Sequence, residues 1–280
     1  MQRQTPPQLH AAMLSGLFDY AGLFPPAGLT MDKAVRSFRE YQAGMNAGLL
    51  NTFVIPASKL DEFSSAVAGL PTDSWRLSVL SADWQADRLL ILDFLESNSA
   101  VEIASVETRV QDDVQEIRKS YDQVYVELPV DDKLEPSLQL LNEFGAKAKI
   151  RTGGLTAEAF PSSAEVAEFL VGCTRHSISF KATAGLHHPI RSRRPTCDQQ
   201  DAPVANMHGF VNVLLGVRSA LQGATASEVA IILEQTDLAA EDLGDLVPNP
   251  AQANPRSLFD SIGSCSFIEP VDDLTKLGWL

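Results

Sequence analysis

The residues able to do chemistry in this chain fall at a shared strand parity. Lys147, Lys149 and Arg151 alternate with Ala148 and Ile150, and Ser179, Lys181 and Thr183 alternate with Ile178, Phe180 and Ala182. Residues two apart on a strand point the same way. Val124, Val126 and Leu128 take one face of their run and leave Tyr125 and Glu127 on the other, and Val101 and Ile103 do the same for Glu102. A parallel sheet covered by helices is apolar on its helix side. The charges of four consecutive runs should therefore face one interior. Buried unpaired, each would cost several kcal/mol. They must pair with one another or meet water and ligand. One such run alone reads as a solvated edge strand. Four in succession, each ended by Gly, Pro or a polar turn, read as an active site in which each charge sets its neighbours' protonation.

The elements that must position them are short β-rich runs alternating with helical patterns. Strands are expected in the run 18–24, where Asp19 ends the first strand, and at 52–55, 76–80, 100–106, 123–128, 146–152, 177–183 and 263–267. Helical spacing lies between them: Met31, Val35, Phe38 and Met45, then residues 84–95 and 112–120, then Leu134, Leu138 and Leu141. Ser162 with Glu165, and Thr225 with Glu228, have capping-box spacing. A helix is expected from about 208 to 221, and residues 7–17 are expected to form a helix covering the barrel's base. Eight strands alternating with helices predict a parallel (β/α)8 barrel of the TIM type, one domain over 1–280, with extra helices between the last two strands. An open doubly wound sheet is the alternative, but no GxGxxG follows an early strand.

Residues 186–207 have neither period and carry His187, His188, Arg191, Arg193 and Arg194. A stretch this long in a compact domain reads as a lid over the barrel mouth that attracts an anion. Adjacent histidines could join Glu107, Glu127 or Asp19 around a metal. Adjacent loop histidines rarely share one ion, however, and no H-x-E-x-H spacing occurs, so no metal or other cofactor is expected. Asp19, at the end of the first strand, could act as a base or cap its own loop.

Two strand ends carry a more specific pattern. Lys149-Ile150-Arg151-Thr152-Gly153 resembles the K-x-x-T-G strand end of class I (Schiff-base) deoxyribose-phosphate aldolases, and Lys181-Ala182-Thr183-Ala184-Gly185 resembles the K-A-[ST]-x-G end of their next strand. Val101-Glu102-Ile103 sits where that family has Val-Asp-Val, and Gly263-Ser264-Cys265-Ser266 looks like its phosphate-holding last strand. The resemblance covers strand ends only. It implies a carbon–carbon lyase with Lys149 as the Schiff-base lysine, Lys181 as the cation lowering its pKa, and Glu102 moving protons; strand parity makes Glu127 the alternative proton carrier. The substrate-binding set would be Asp19, Arg151, Thr152, Gly153, Thr183, Gly185, His187, His188, Ser264 and Ser266. Arg151 replaces the family's small residue, which crowds the site or adds an anion clamp. The sequence around Asp19 to Pro26 has no counterpart, which also fits a separate barrel family.

Composition sets the outer limits. With 36 acidic against 22 basic residues and a net charge of −14, a nucleic-acid-binding role or docking on anionic lipid is not expected. No apolar stretch is long enough to span a bilayer, and residues 1–8 lack the apolar core of a signal peptide. Three widely spaced cysteines suggest reduced thiols, a cytoplasmic setting and small core or loop residues. The expected partner is a small anionic carbonyl compound, and a homo-oligomer is compatible with the sequence. A metal-dependent lyase, isomerase or hydrolase, and a non-catalytic binding barrel, are the competing readings.

Overall fold

The computed structural model describes residues 13–70, 75–109, 114–197, 200–238, 240–244, 246 and 253–280. Strands β1 (Phe18–Tyr20), β2 (Leu50–Pro56), β3 (Arg76–Leu80), β4 (Glu102–Arg109), β5 (Val124–Glu127), β6 (Lys147–Arg151) and β7 (Phe180–Thr183) pair in parallel, each with the next. A short antiparallel hairpin follows, β8 (Ser192–Pro195) and β9 (Val204–Met207). Then β10 (Phe259–Ser264) inserts between β7 and β1 and closes the eight-stranded barrel. The expected TIM-type architecture is the observed one.

The helices follow from apolar stripes and capping residues. They are α1 (Met31–Ala43), α2 (Leu60–Ala66), α3 (Trp84–Ser97), α4 (Val114–Ser120), α5 (Leu134–Phe144) and α6 (Ser163–Arg175), with α7 (Phe210–Leu221), α8 (Ala226–Leu233) and α9 (Ala240–Gly244) between the last two barrel strands, and α10 (Ile268–Lys276) at the end. The Asp83 carboxylate accepts from the N–H groups of Gln85 and Ala86 to start α3, and both expected capping boxes form, at α6 and α8. Each satisfies helix-end donors that would otherwise lack partners. Helix α2 has no clear period in the sequence. Its Leu60 and Phe63 are buried, and Phe63 stands edge-on to Trp75 at 5.0 Å.

One contiguous apolar layer lies between strands and helices. Phe53, Leu77, Val79, Val106, Val124, Val126, Ala148, Ile150, Phe180 and Ala182 belong to it, all at most 2% exposed. The barrel interior is the polar side of the same strands, as the parity of β5, β6 and β7 predicts. The expected covering helix lies mostly outside the described residues; its last members, Met13, Leu14 and Leu17, are buried.

Three sequence expectations need correction. The last strand runs from Phe259 to Ser264, not 263–267. The first ends at Tyr20, one residue past the Asp19 expected to end it. Residues 186–207 are not irregular throughout, since they hold the β8–β9 hairpin. No helix among the described residues is long and apolar enough to cross a membrane.

Candidate active site

A chain of polar contacts runs up the barrel axis. At the base, Arg76 Nε lies 2.8 Å from Glu102 Oε2, and its Nη1 donates to Asn51 Oδ1 at 2.9 Å. Asn51 Nδ2 donates to Asp19 at 2.8 Å. Asp19 Oδ2 accepts from Lys181 Nζ at 2.6 Å and from Ser261 Oγ at 2.5 Å. Lys181 also donates to Glu107 Oε1 at 2.7 Å. The other Glu107 oxygen faces Lys149 Nζ at 2.7 Å, Lys149 reaches Glu127 at 3.1 Å, and Glu127 meets Arg151 Nε at 3.4 Å.

The middle of this chain is dry. Asp19, Glu107, Lys149 and Lys181 are each at most 4% exposed. Ser78 Oγ donates to Glu107 at 2.6 Å, and Thr52 supplies both its N–H and its hydroxyl to Asp19. The ions are therefore paired and their remaining lone pairs largely satisfied, which is what makes charge burial tolerable. Burial alone would raise the pKa of Glu107, but Lys149 and Lys181 outweigh it and hold the carboxyl far below its usual range. Glu127 is likewise held down against its own burial by Lys149 and Arg151. Burial would lower the pKa of Lys181, yet Asp19 and Glu107 outweigh that and push it up. The sequence placed Lys181 as a bare cation beside Lys149; the structure adds a carboxylate between them, and Lys181 is fixed as a cation.

Above the network lies a cavity of about 330 Å³ at the C-terminal ends of the strands, the face that carries catalysis in barrels of this type. Lys149 and Glu107 form part of its lining, with Arg151, Thr183, Gly185 and His187 around it. Phe24, Leu80, Leu155 and Phe160 supply apolar walls, and Thr196 and Met207 bring the hairpin region against it. Small-molecule sites have this size and this mixture of apolar wall and few polar groups. Lys181 and Asp19 lie beneath and do not line it.

The placement of the predicted residues is uneven. Lys149, Lys181 and Glu127 converge, with Asp19 below and Arg151 and Thr183 above. Glu102 does not join them. It sits at the opposite end of β4, exposed, paired with Arg76. It is the first residue of β4, in register with Arg76 at the start of β3, and so lies at the base; a bulge beyond it brings Glu107 inward. Register passes from Leu77↔Ile103 to Ser78↔Ser105, so β4 carries one extra residue and its inward parity changes there. Glu107, five residues and about 15 Å farther along, takes the central place that Glu102 was expected to fill. A second bulge, between Phe259↔Phe180 and Ser261↔Lys181, turns both Asp260 and Ser261 toward the interior. There Asp260 accepts from Tyr125 Oη at 2.8 Å and from Lys147 at 2.7 Å.

Thr152 is buried and donates to backbone oxygens of Thr183 and Ala184, tying the ends of β6 and β7 together. Gly153 packs on Gly185 and Phe160. Ser264 and Ser266 bond to each other, and Ser266 Oγ also accepts from the Glu269 N–H at 3.2 Å; neither lines the cavity. His187 lines it, but His188 points to Asp273 at 2.7 Å. Arg191 is engaged by Glu234 at 3.1 Å, whereas Arg193 and Arg194 are exposed on the hairpin. Among the described residues, no group of three or more His, Cys, Asp or Glu is arranged to hold a metal ion. The histidines meet Glu269 and Asp273 rather than the Glu107 and Glu127 considered from the sequence.

No family model, no curated protein and no solved structure matches this chain.

Proposed function

We propose that this barrel is an enzyme that binds a small anionic carbonyl compound through an imine at Lys149 and makes or cleaves a carbon–carbon bond next to it. The observation that carries the proposal is the position of Lys149. Its ammonium lies at the cavity floor, in contact with Glu107 at 2.7 Å and Glu127 at 3.1 Å. A lysine must shed a proton before it attacks a carbonyl. Glu107 and Glu127 both touch the Lys149 ammonium, so a carboxylate is in place to take the proton it sheds. As the Lys149 nitrogen bonds to the carbonyl carbon, its proton passes by way of Glu127 or Glu107 to the carbonyl oxygen. That oxygen then leaves as water. The imine is an electron sink for the pair released when the neighbouring bond breaks. Arg151, always protonated, is placed to hold an anionic end of the substrate. The carboxylate that the aldolase resemblance assigned to Glu102 is supplied by Glu107 in this reading, and Lys181 is an electrostatic neighbour out of reach of substrate.

The test is incubation with acetaldehyde, glyceraldehyde or pyruvate, then borohydride and peptide mass mapping. A reduced adduct on Lys149, absent from Lys149→Met, is expected. A label on Lys181 would reverse the roles. No label on either lysine with any of these compounds would overturn the imine.

A further inference from the structure

The same cavity has a second reactive group on its rim. His187 Nε2 lies 3.9 Å from Cys265 Sγ, and His187 Nδ1 lies 2.9 Å from Glu269 Oε2. Cys265 and His187 both line the cavity. The three residues come from the turn after β7, the end of β10 and the first turn of α10, so three elements are brought together at one mouth. A thiol beside an imidazole whose far nitrogen is fixed by a carboxylate is the arrangement that activates a nucleophile: the carboxylate orients the ring, and the ring moves the proton. The network around Lys149 does not use any of these side chains.

We propose that Cys265, His187 and Glu269 form a thiol nucleophile that accepts an activated acyl group, from an ester or thioester, as an S-acyl intermediate. The Cys265 proton passes to His187, and the sulfur bonds to the acyl carbon. The bond from that carbon to the leaving oxygen or sulfur breaks, and His187 gives its proton to the departing atom. Water then attacks the S-acyl carbon, His187 takes the water proton, and the carbon–sulfur bond breaks to restore the thiol. The surroundings of the ring fit this sequence. Burial would lower the pKa of His187, but its contacts with Cys265 and Glu269 outweigh burial and raise it to about 10. The contact with Glu269 keeps the proton on the ring after the thiol has given it up, so it is at hand for the leaving group. The acyl chain has room in the cavity, against Phe24 and Met207.

The other cysteines are internal controls. Cys173 is fully buried, and burial pushes its thiol well up, while Cys197 is half-buried in the hairpin loop. The experiment is reaction of the full chain with p-nitrophenyl acetate, following nitrophenolate release and mapping S-acetylation by mass. One equivalent of burst and an acetyl group on Cys265, formed about tenfold or more faster than on Cys197, is expected. His187→Ala, checked for native circular dichroism, should slow Cys265 acetylation by about 100-fold, within the usual range for losing a general base. Glu269→Gln should slow it less. Acetylation of Cys265 no faster than that of Cys197 would overturn the proposal in the unaltered chain, without relying on any variant. An unchanged rate in folded His187→Ala would also overturn it. Borohydride trapping at Lys149 is read separately, so failure of one centre does not count for or against the other.

Discussion

Glu107 faces Lys149 at 2.7 Å with the oxygen that it does not share with Lys181. One carboxylate thus serves two ammonium groups on neighbouring strands, Lys149↔Lys181 being register partners of β6 and β7. This arrangement explains how a barrel interior that is usually filled with branched apolar side chains can hold a line of ions here. Each cation has two anions within reach, and Glu107 has two cations and a serine hydroxyl.

Replacing Glu107 with Gln should therefore be among the most damaging single changes in the interior. It leaves two buried cations sharing what Asp19 and Glu127 can supply. Breaking a buried ion pair from one side typically costs about 3–5 kcal/mol. Urea unfolding of Glu107→Gln should show a loss in that range, together with loss of any imine trapping at Lys149. A stability change under about 1 kcal/mol would mean that the network is not structurally required.

Acid should weaken the fold through the same groups. Glu107 and Glu127 both have pKa values lowered by folding. A carboxyl whose pKa is depressed in the folded state adds stability above its unfolded pKa and loses it as pH falls through the folded value. Stability should be flat in this respect at neutral pH and decline progressively below about pH 4. Lys181 has the opposite sign: its raised pKa adds stability below the unfolded value, which is lost only as pH rises through the folded one. Unfolding midpoints measured from pH 2 to 7 test the acid limb. The decline should be shallower in Glu127→Gln, which lacks one of the titrating groups.

Much of the site was legible in the sequence where strands are regular. In β5, β6 and β7 no extra residue interrupts the pleat, so strict alternation places Tyr125, Glu127, Lys149, Arg151, Lys181 and Thr183 inside, as expected. In β4 and β10 the same rule fails, because one inserted residue exchanges the two faces. The available signal was Ser105 with Glu107, two polar residues at a parity opposite to Glu102 on one strand. A single strand with polar residues at both parities is either solvated or bulged, and choosing between them needs the neighbouring strand. Cys265 and His187 are 78 residues apart in sequence. Only the closure of β10 onto β7 brings them together, so no local spacing could announce the pair.

Glu102 offers the complementary test. Its salt bridge with Arg76 is at the base of the barrel, with both side chains about half exposed. Solvent-exposed pairs are worth about 0–1 kcal/mol. Glu102→Gln should fold normally, shift stability by no more than about 0.5 kcal/mol, and leave imine trapping at Lys149 intact. Loss of trapping in a well-folded Glu102→Gln protein would restore Glu102 to the site and refute its placement at the base beside Arg76.

The turns above the two lysines make the last prediction. Gly185 has φ +75°, and a Cβ there would lie 2.8 Å from the Thr152 carbonyl oxygen and 2.9 Å from the Gly153 Cα. Both are backbone atoms, so the contact cannot be relieved by turning a side chain. Gly278 also has a positive φ, +69°, but a Cβ there would meet nothing within 4 Å. The two positions therefore separate left-handed backbone strain from crowding. Strain alone costs roughly 1–2 kcal/mol. Gly278→Ala should lose about that much, and Gly185→Ala should lose it plus an overpacking cost of about 1–3 kcal/mol. Gly185→Ala should also push the ends of β6 and β7 apart directly above Lys149 and Lys181, lowering imine trapping, while Gly278→Ala leaves it unchanged. Equal stability losses in the two variants, with trapping retained in both, would show that the close approach of these turns does not hold the site in place.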